Sequence, residues 1–171
     1  MANVLETIKT RSSIRAYSSD KLSEEQVKTL LEAGLLAPTA ANTQELHFTS
    51  VANDSDIVKE IQKDLNPDAK VPFHYGSSHL FVISGVDAFP WAGVDAGIAV
   101  ENMHLAAKDM GLGSVIIGCI AGVLTGEKKA YYDDKLAIPE DYSYKVALAV
   151  GVPATTKEPH VYNFDKDATI L

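Results

Sequence analysis

The strongest constraint in this chain is the run Leu80-Phe81-Val82-Ile83-Ser84-Gly85-Val86. A stretch this apolar at consecutive positions, rich in β-branched and aromatic residues, reads as a strand buried on both faces. Such a strand needs cover above and below, so the chain must fold in layers. Part of the cover is visible nearby. Residues 94–110 carry the longest helical spacing, and Gly111 stands where a helix can end in left-handed backbone.

The remaining elements follow from the same periodicities. Val4, Leu5 and Ile8 share one face of a short helix that ends near Arg11. Ser23-Glu24-Glu25-Gln26 is a capping-box pattern, and Val27, Leu30, Leu31 and Leu35 continue it as a helix. Pro38 lies just past the end of that helix. Residues 47–51 read as a strand, and Ile57, Val58, Ile61 and Leu65 as a third helix opened by Asp54 or Ser55. Residues 115–118 and 144–152 supply two further buried strands, and Thr125 can cap a short helix reaching Tyr132. Four strands separated by helices give an α/β or α+β protein with a buried sheet.

At 171 residues the chain is expected to be a single domain, 1–171. Residues 153–171 form a polar extension holding two prolines and the apolar Phe164, Ile170 and Leu171. An extension without its own core is ordered by docking, here on its own subunit or on a second one.

Charge narrows the function classes. Fifteen Lys+Arg against 23 Asp+Glu leave a net charge of −8, which argues against nucleic acid as a partner. An anionic ligand must then be held by a few local cations against an unfavourable average field. Apolar stretches are broken by glycine short of the ~20 residues a membrane span needs, so no membrane partner is expected. Residues 1–11 mix acid and base and lack the apolar core of a signal peptide, which points to the cytoplasm. The lone Cys119 excludes an intramolecular disulfide and sits in the apolar run 115–124, where it reads as a small buried hydrophobe.

Two segments could bind a ligand. Arg11-Ser12-Ser13-Ile14-Arg15 puts two guanidiniums and two hydroxyls in a compact stretch. Arginine's planar fork gives paired, charge-assisted hydrogen bonds to phosphate. The plainer alternative is surface ion pairing with Asp or Glu. Pro38-Thr39-Ala40-Ala41-Asn42-Thr43-Gln44 leaves a helix and enters a strand. Small residues let a flat ligand approach the backbone, and the Asn42 and Gln44 amides carry both donors and acceptors for a heterocycle edge. It could equally be a simple connector. His104 on the long helix reads as a satisfied core or interface side chain. The five histidines, His47, His74, His79, His104 and His160, show no tight metal spacing. Spacing alone yields no acid, base or nucleophile, so an enzyme built on this chain would leave the chemistry to a bound cofactor.

Together these segments resemble the nitroreductase family of FMN-dependent oxidoreductases. The resemblance rests on the Arg11–Arg15 segment, on the loop Ala37-Pro38-Thr39-Ala40-Ala41-Asn42-Thr43-Gln44, and on Asp95, Ala99, Asn102, Leu105, Ala106, Ala107 with Gly111-Leu112-Gly113-Ser114. Leu136-Ala137-Ile138-Pro139 and Gly151-Val152-Pro153 extend it to the end of the last strand. The family's usual Pro-Trp after the glutamine is Glu45-Leu46 here.

The resemblance implies an α+β fold, with a central, mostly antiparallel sheet flanked by helices, working as an intertwined homodimer. FMN would lie at the subunit interface. Arg11, Ser12, Ser13 and Arg15 would bind its phosphate, ribityl and pyrimidine parts. Pro38, Thr39, Asn42 and Gln44 would reach the ring from the other subunit, and Ile116, Ile117 and Gly118 would offer backbone to it. Lys157 or His160 would reach the phosphate. The implied activity is ping-pong hydride transfer from NADH or NADPH to a small electron acceptor such as a nitroaromatic or quinone. The alternative is a non-catalytic flavin carrier or sensor, which the Glu45-Leu46 departure favours.

Overall fold

The computed structural model describes residues 3–171. Helix α1 spans Val4–Thr10, and α2 spans Glu24–Leu35. Strand β1 (Leu46–Ala52) is followed by α3 (Asp56–Leu65), β2 (His79–Val86) and the long α4 (Ala92–Asp109). Strand β3 (Gly113–Ile117) leads into α5 (Ala121–Leu124), α6 (Lys129–Lys135), β4 (Tyr142–Gly151) and a terminal turn of helix, α7 (Phe164–Asp167).

The four strands form one sheet in the order β1-β2-β4-β3, and every pairing is antiparallel. The expected α+β fold with an antiparallel sheet is therefore what forms. The apolar run sits in β2, which pairs with β1 on one side and β4 on the other. Alternation along a strand sends successive side chains to opposite faces. Leu80 and Val82 pack with Val58, Ile61, Tyr132 and Leu136 of α3 and α6 and the loop after it. Phe81 and Ile83 pack with Leu30, Ala96, Val100 and Met103 of α2 and α4. One run of sequence thus supplies the middle of two cores, and the fold is helix–sheet–helix.

The capping box forms as written: the Ser23 hydroxyl accepts from the Gln26 N–H, and the Gln26 side chain accepts from the Ser23 N–H. Ser55 takes the N-cap position of α3, though its side chain makes no cap bond. Thr125 does not start a helix. It closes α5, its hydroxyl donating to the Ala121 carbonyl at 2.8 Å, and α6 begins only at Lys129. The Gly126 turn intervenes, so helical spacing does not run through it.

Cys119 departs from its expected place in the core. It is exposed, because β3 ends at Ile117 and the chain turns at Gly118 before α5. Helix α1 buries none of its residues, and Val4 and Leu5 remain 68% and 63% exposed.

Candidate functional site

Past α1 the chain runs extended beside the ends of β3 and β4. The Ile14 N–H donates to the Ser114 carbonyl at 3.0 Å, the Ser18 N–H to Val152 at 2.9 Å, and the Ala154 N–H to Ala16 at 3.0 Å. Ser13 bridges Ser114, and Tyr17 bridges Pro153. Close approach here requires glycine in the sheet. A Cβ on Gly113 would lie 3.0 Å from Ile14 Cγ2, and one on Gly151 would lie 3.0 Å from the Ser78 nitrogen.

This path carries Arg11 across α4. Its Nη1 lies 2.8 Å from His104 Nε2, and its Nε lies 3.4 Å from Glu101 Oε1. Ion pairing with an acid, the plainer expectation for this arginine, is therefore present. A guanidinium only donates, so His104 Nε2 is the acceptor and the ring proton sits on Nδ1. That Nδ1–H is then the donor in the close contact with Ser114 Oγ. His104 is fully buried. Burial, and then the Arg11 charge, push its pKa down to about 4, so the ring is neutral at pH 7. Burial lifts the Glu101 carboxyl above its ordinary value, and Arg11 offsets this only in part.

Arg11, Ser12, Ser13, Lys157 and His160 line one cleft of about 330 Å³, with Glu158 as its one acidic lining residue. Ser12 Oγ donates to the Lys157 carbonyl at 3.4 Å. A smaller cavity of about 130 Å³ adjoins it, lined by Arg11, His104, Lys108, Ser114 and Lys157 among others. A guanidinium, an ammonium and paired hydroxyls around one hollow suit a compact dianion such as a phosphate monoester. Both residues considered for the phosphate, Lys157 and His160, are at the cleft. Arg15 is not: it is exposed, with its guanidinium 5.8 Å from the Tyr75 ring centroid.

The second segment is a strained loop. Ala41, Asn42 and Gln44 all have φ between 53° and 55°, a region that non-glycine residues seldom occupy. Persistent strain requires anchors. Thr39 Oγ1 accepts the Gln44 N–H at 2.9 Å, and buried Asp95 Oδ2 accepts the Ala40 N–H at 3.0 Å. Thr43 donates to the Glu45 carboxylate, which is buried and leaves Oε1 unpaired. Pro38, Asn42 and Gln44 stay exposed, while Thr39 is half-buried. Thr39 and Gln44 line a pocket distinct from the Arg11 cleft, so one chain does not bring the two segments together.

Ile116 is 43% exposed, although its neighbours in β3 are buried. The Ile117 carbonyl accepts the Tyr144 hydroxyl at 2.6 Å. At Gly118 an added Cβ would meet nothing within 4 Å, so the backbone there is open to a ligand.

The reading of His104 as a satisfied core side chain holds, but sequence reasoning did not find its partners Arg11 and Ser114, the Glu101 contact to Arg11 or the Asp95 tether to Ala40. The one available signal was the spacing of Glu101 and His104, which places both on the same face of α4. Among the described residues no cluster of three metal-ligating side chains occurs, and no helix is long and apolar enough to cross a membrane.

A profile of the nitroreductase family matches residues 8–152. A protein of Archaeoglobus fulgidus, provisionally named an NADH dehydrogenase/NAD(P)H nitroreductase, is 30% identical over 161 residues, covering 92% of this chain and 90% of its own. The NADPH-flavin oxidoreductase of Vibrio harveyi is 28% identical over 183 residues, covering 92% of this chain and 69% of its own. Among solved structures, a nitroreductase with bound FMN from Bacteroides fragilis superposes with a TM-score of 0.88 at 28% identity over 100% of both chains.

Proposed function

This chain belongs to the nitroreductase family, and from that premise we propose that it is an FMN-dependent NAD(P)H oxidoreductase reducing electron-poor small molecules such as nitroaromatics or quinones. The observation that carries the reading is the cleft that gathers Arg11, Ser12, Ser13, Lys157 and His160 in an acidic protein. Bound FMN would supply the redox chemistry, taking hydride from a nicotinamide and passing it to the acceptor.

The protein's own residues bind and orient. Arg11, Ser12, Ser13 and Lys157 or His160 hold the phosphate end. The stretch Ile116, Ile117 and Gly118 would offer backbone to the ring, most openly at Gly118, since the Ile117 carbonyl already accepts from Tyr144. Asn42 and Gln44 reach the ring from a second copy, together with Pro38 and Thr39. Arg15, exposed beside Tyr75, would supply positive charge toward the pyrimidine end, which would favour a negatively charged ring. No side chain is needed as acid or base.

A second copy is supported by apolar surface that one chain leaves open. Val4 and Leu36 line a groove of about 340 Å³ with Leu105 and Ala106. Residues 154–171 are all exposed, Phe164, Ile170 and Leu171 among them. We read the chain as one domain whose C-terminal extension docks on the partner of a homodimer, working in the cytoplasm. Light scattering should give twice the 18.4 kDa of one chain. Truncation after Pro153 should reduce that mass to a monomer's, and a truncated chain that stays dimeric would remove the extension from the interface. Recovery in a membrane or secreted fraction would count against the cytoplasmic assignment.

Purified protein should be yellow, with its visible absorbance bleached by NADH or NADPH and restored by a quinone. Colourless protein that takes up no added FMN would sink the reading. Yellow protein that neither nicotinamide bleaches would point to a flavin carrier, the reading that the buried Glu45 in place of the family's proline favours.

A further inference from the structure

We propose that His104 is a positioning residue for the ligand's phosphate: it aims the Arg11 guanidinium into the cleft without neutralising it, and so sets selectivity for FMN over unphosphorylated flavin. The proposal rests on the reading of Arg11 as a phosphate ligand.

The geometry carries it. Arg11 is a long side chain at the end of a short helix that buries nothing, so its own element cannot hold it. Its restraint comes from α4, through His104 Nε2 at 2.8 Å and Glu101 Oε1 at 3.4 Å. The two partners differ in kind. A carboxylate that holds a guanidinium also cancels its charge toward any third group. A neutral imidazole accepts the hydrogen bond and leaves the cation whole. The shorter contact, and the buried one, is to the neutral partner. A guanidinium has five N–H donors, so donors remain for an anion.

Ser114 makes the arrangement rigid. Its hydroxyl accepts the Nδ1–H that remains once Arg11 donates to Nε2, and so anchors the ring from its other side. Its carbonyl takes the Ile14 N–H at 3.0 Å, which fixes the chain just past Arg11. One residue of β3 therefore holds both the backbone of the segment and the ring that orients its arginine. Arg11, Lys108 and Lys157 are the charged residues lining the same cavity, with Glu101 beside Arg11, and a neutral ring adds no further positive charge there.

The test compares two ligands that differ only in phosphate. Full-length protein is loaded with FMN or with riboflavin, and each dissociation constant is read from recovered flavin fluorescence on dilution. His104→Leu, which removes the acceptor, should weaken FMN about tenfold, the loss expected for one charge-assisted hydrogen bond, while leaving riboflavin unchanged. His104→Gln can place an amide oxygen near the Nε2 position and should restore most of the FMN affinity. A leucine variant with the wild-type FMN-to-riboflavin ratio overturns the proposal, provided Arg11→Ala collapses that ratio. If Arg11→Ala leaves the ratio intact, the underlying reading fails instead. Should the leucine variant not fold, Ser114→Ala takes its place. It removes the ring's second anchor, so FMN should weaken while riboflavin holds, and unchanged FMN affinity would overturn the proposal.

Discussion

Asp95 Oδ2 accepts the backbone N–H of Ala40 at 3.0 Å, joining the first turn of α4 to the loop that follows α2. The carboxylate is buried and sits at a helix N-terminus, where the helix dipole favours negative charge. It is the tether between the protein's longest helix and its most strained loop. Asp95→Ala leaves the Ala40 N–H without its partner and should cost ~1–3 kcal/mol. The loss should appear as a lower denaturation midpoint together with weaker flavin retention. A variant with wild-type stability would show that the loop does not depend on this tether.

The strain itself is testable. Ala41 is exposed and holds φ 53°, ψ 20°. Left-handed backbone costs an alanine ~1–2 kcal/mol, and part of that gain is returned through glycine's greater freedom when unfolded. Ala41→Gly should therefore stabilise the protein by ~0.5–1 kcal/mol in urea unfolding. A clear destabilisation would mean that the loop is not strained at this position.

Gly151 marks where the N-terminal segment meets the sheet. An added Cβ would lie 2.9 Å from Tyr17 Cδ1, 3.0 Å from the Ser78 nitrogen and 3.2 Å from Ser77 Cα. Two of these neighbours are backbone and cannot rotate away. Gly151→Ala should cost ~1–3 kcal/mol as an overpacking change. It should also loosen residues 11–18, seen as faster amide exchange at Ile14 and Ser18. Unchanged exchange would separate the sheet end from the segment.

His104 makes stability depend on pH in mildly acid solution. Its pKa falls from 6.5 in the unfolded chain to about 4 in the folded one, so between those values the unfolded state binds more protons. Stability from this group is complete above about pH 6.5 and is lost as pH drops toward 4, on the order of 3 kcal/mol in all. His74 and His79, also lowered by burial, act in the same direction. The raised Glu101 opposes them at the acid end of the window. Melting temperatures measured from pH 7 to pH 4.5 should fall steeply for the wild type and less steeply for His104→Gln. Parallel curves would show that His104 does not titrate across folding.

Most of the architecture was legible in the chain. The run in β2 required two layers of cover because its side chains alternate between faces, and the helices that supply the cover announce themselves by capping and spacing. Most boundaries shifted by a residue or two, the helix expected to run from Thr125 to Tyr132 forms instead at Lys129–Lys135, the short α5 and α7 carried no local signal, and Thr125 and Cys119 moved to different roles. Both lie near glycine turns, where chain direction is set by contacts that no local pattern encodes.

The candidate site divides differently. Arg11, Ser12 and Ser13 stand out in the sequence because cations are scarce and the residues are adjacent. Lys157 and His160 join them only because residues 153–157 return along the extended segment past α1, a pairing between chain ends. The Arg11–His104–Ser114 chain likewise spans α1, α4 and β3. Residue types and local periodicity by themselves determined the elements, the layering and the donors available for an anion. Which donors meet, which histidine stays neutral and which way an arginine is held were decided by packing, because those properties depend on burial and on neighbours distant in sequence.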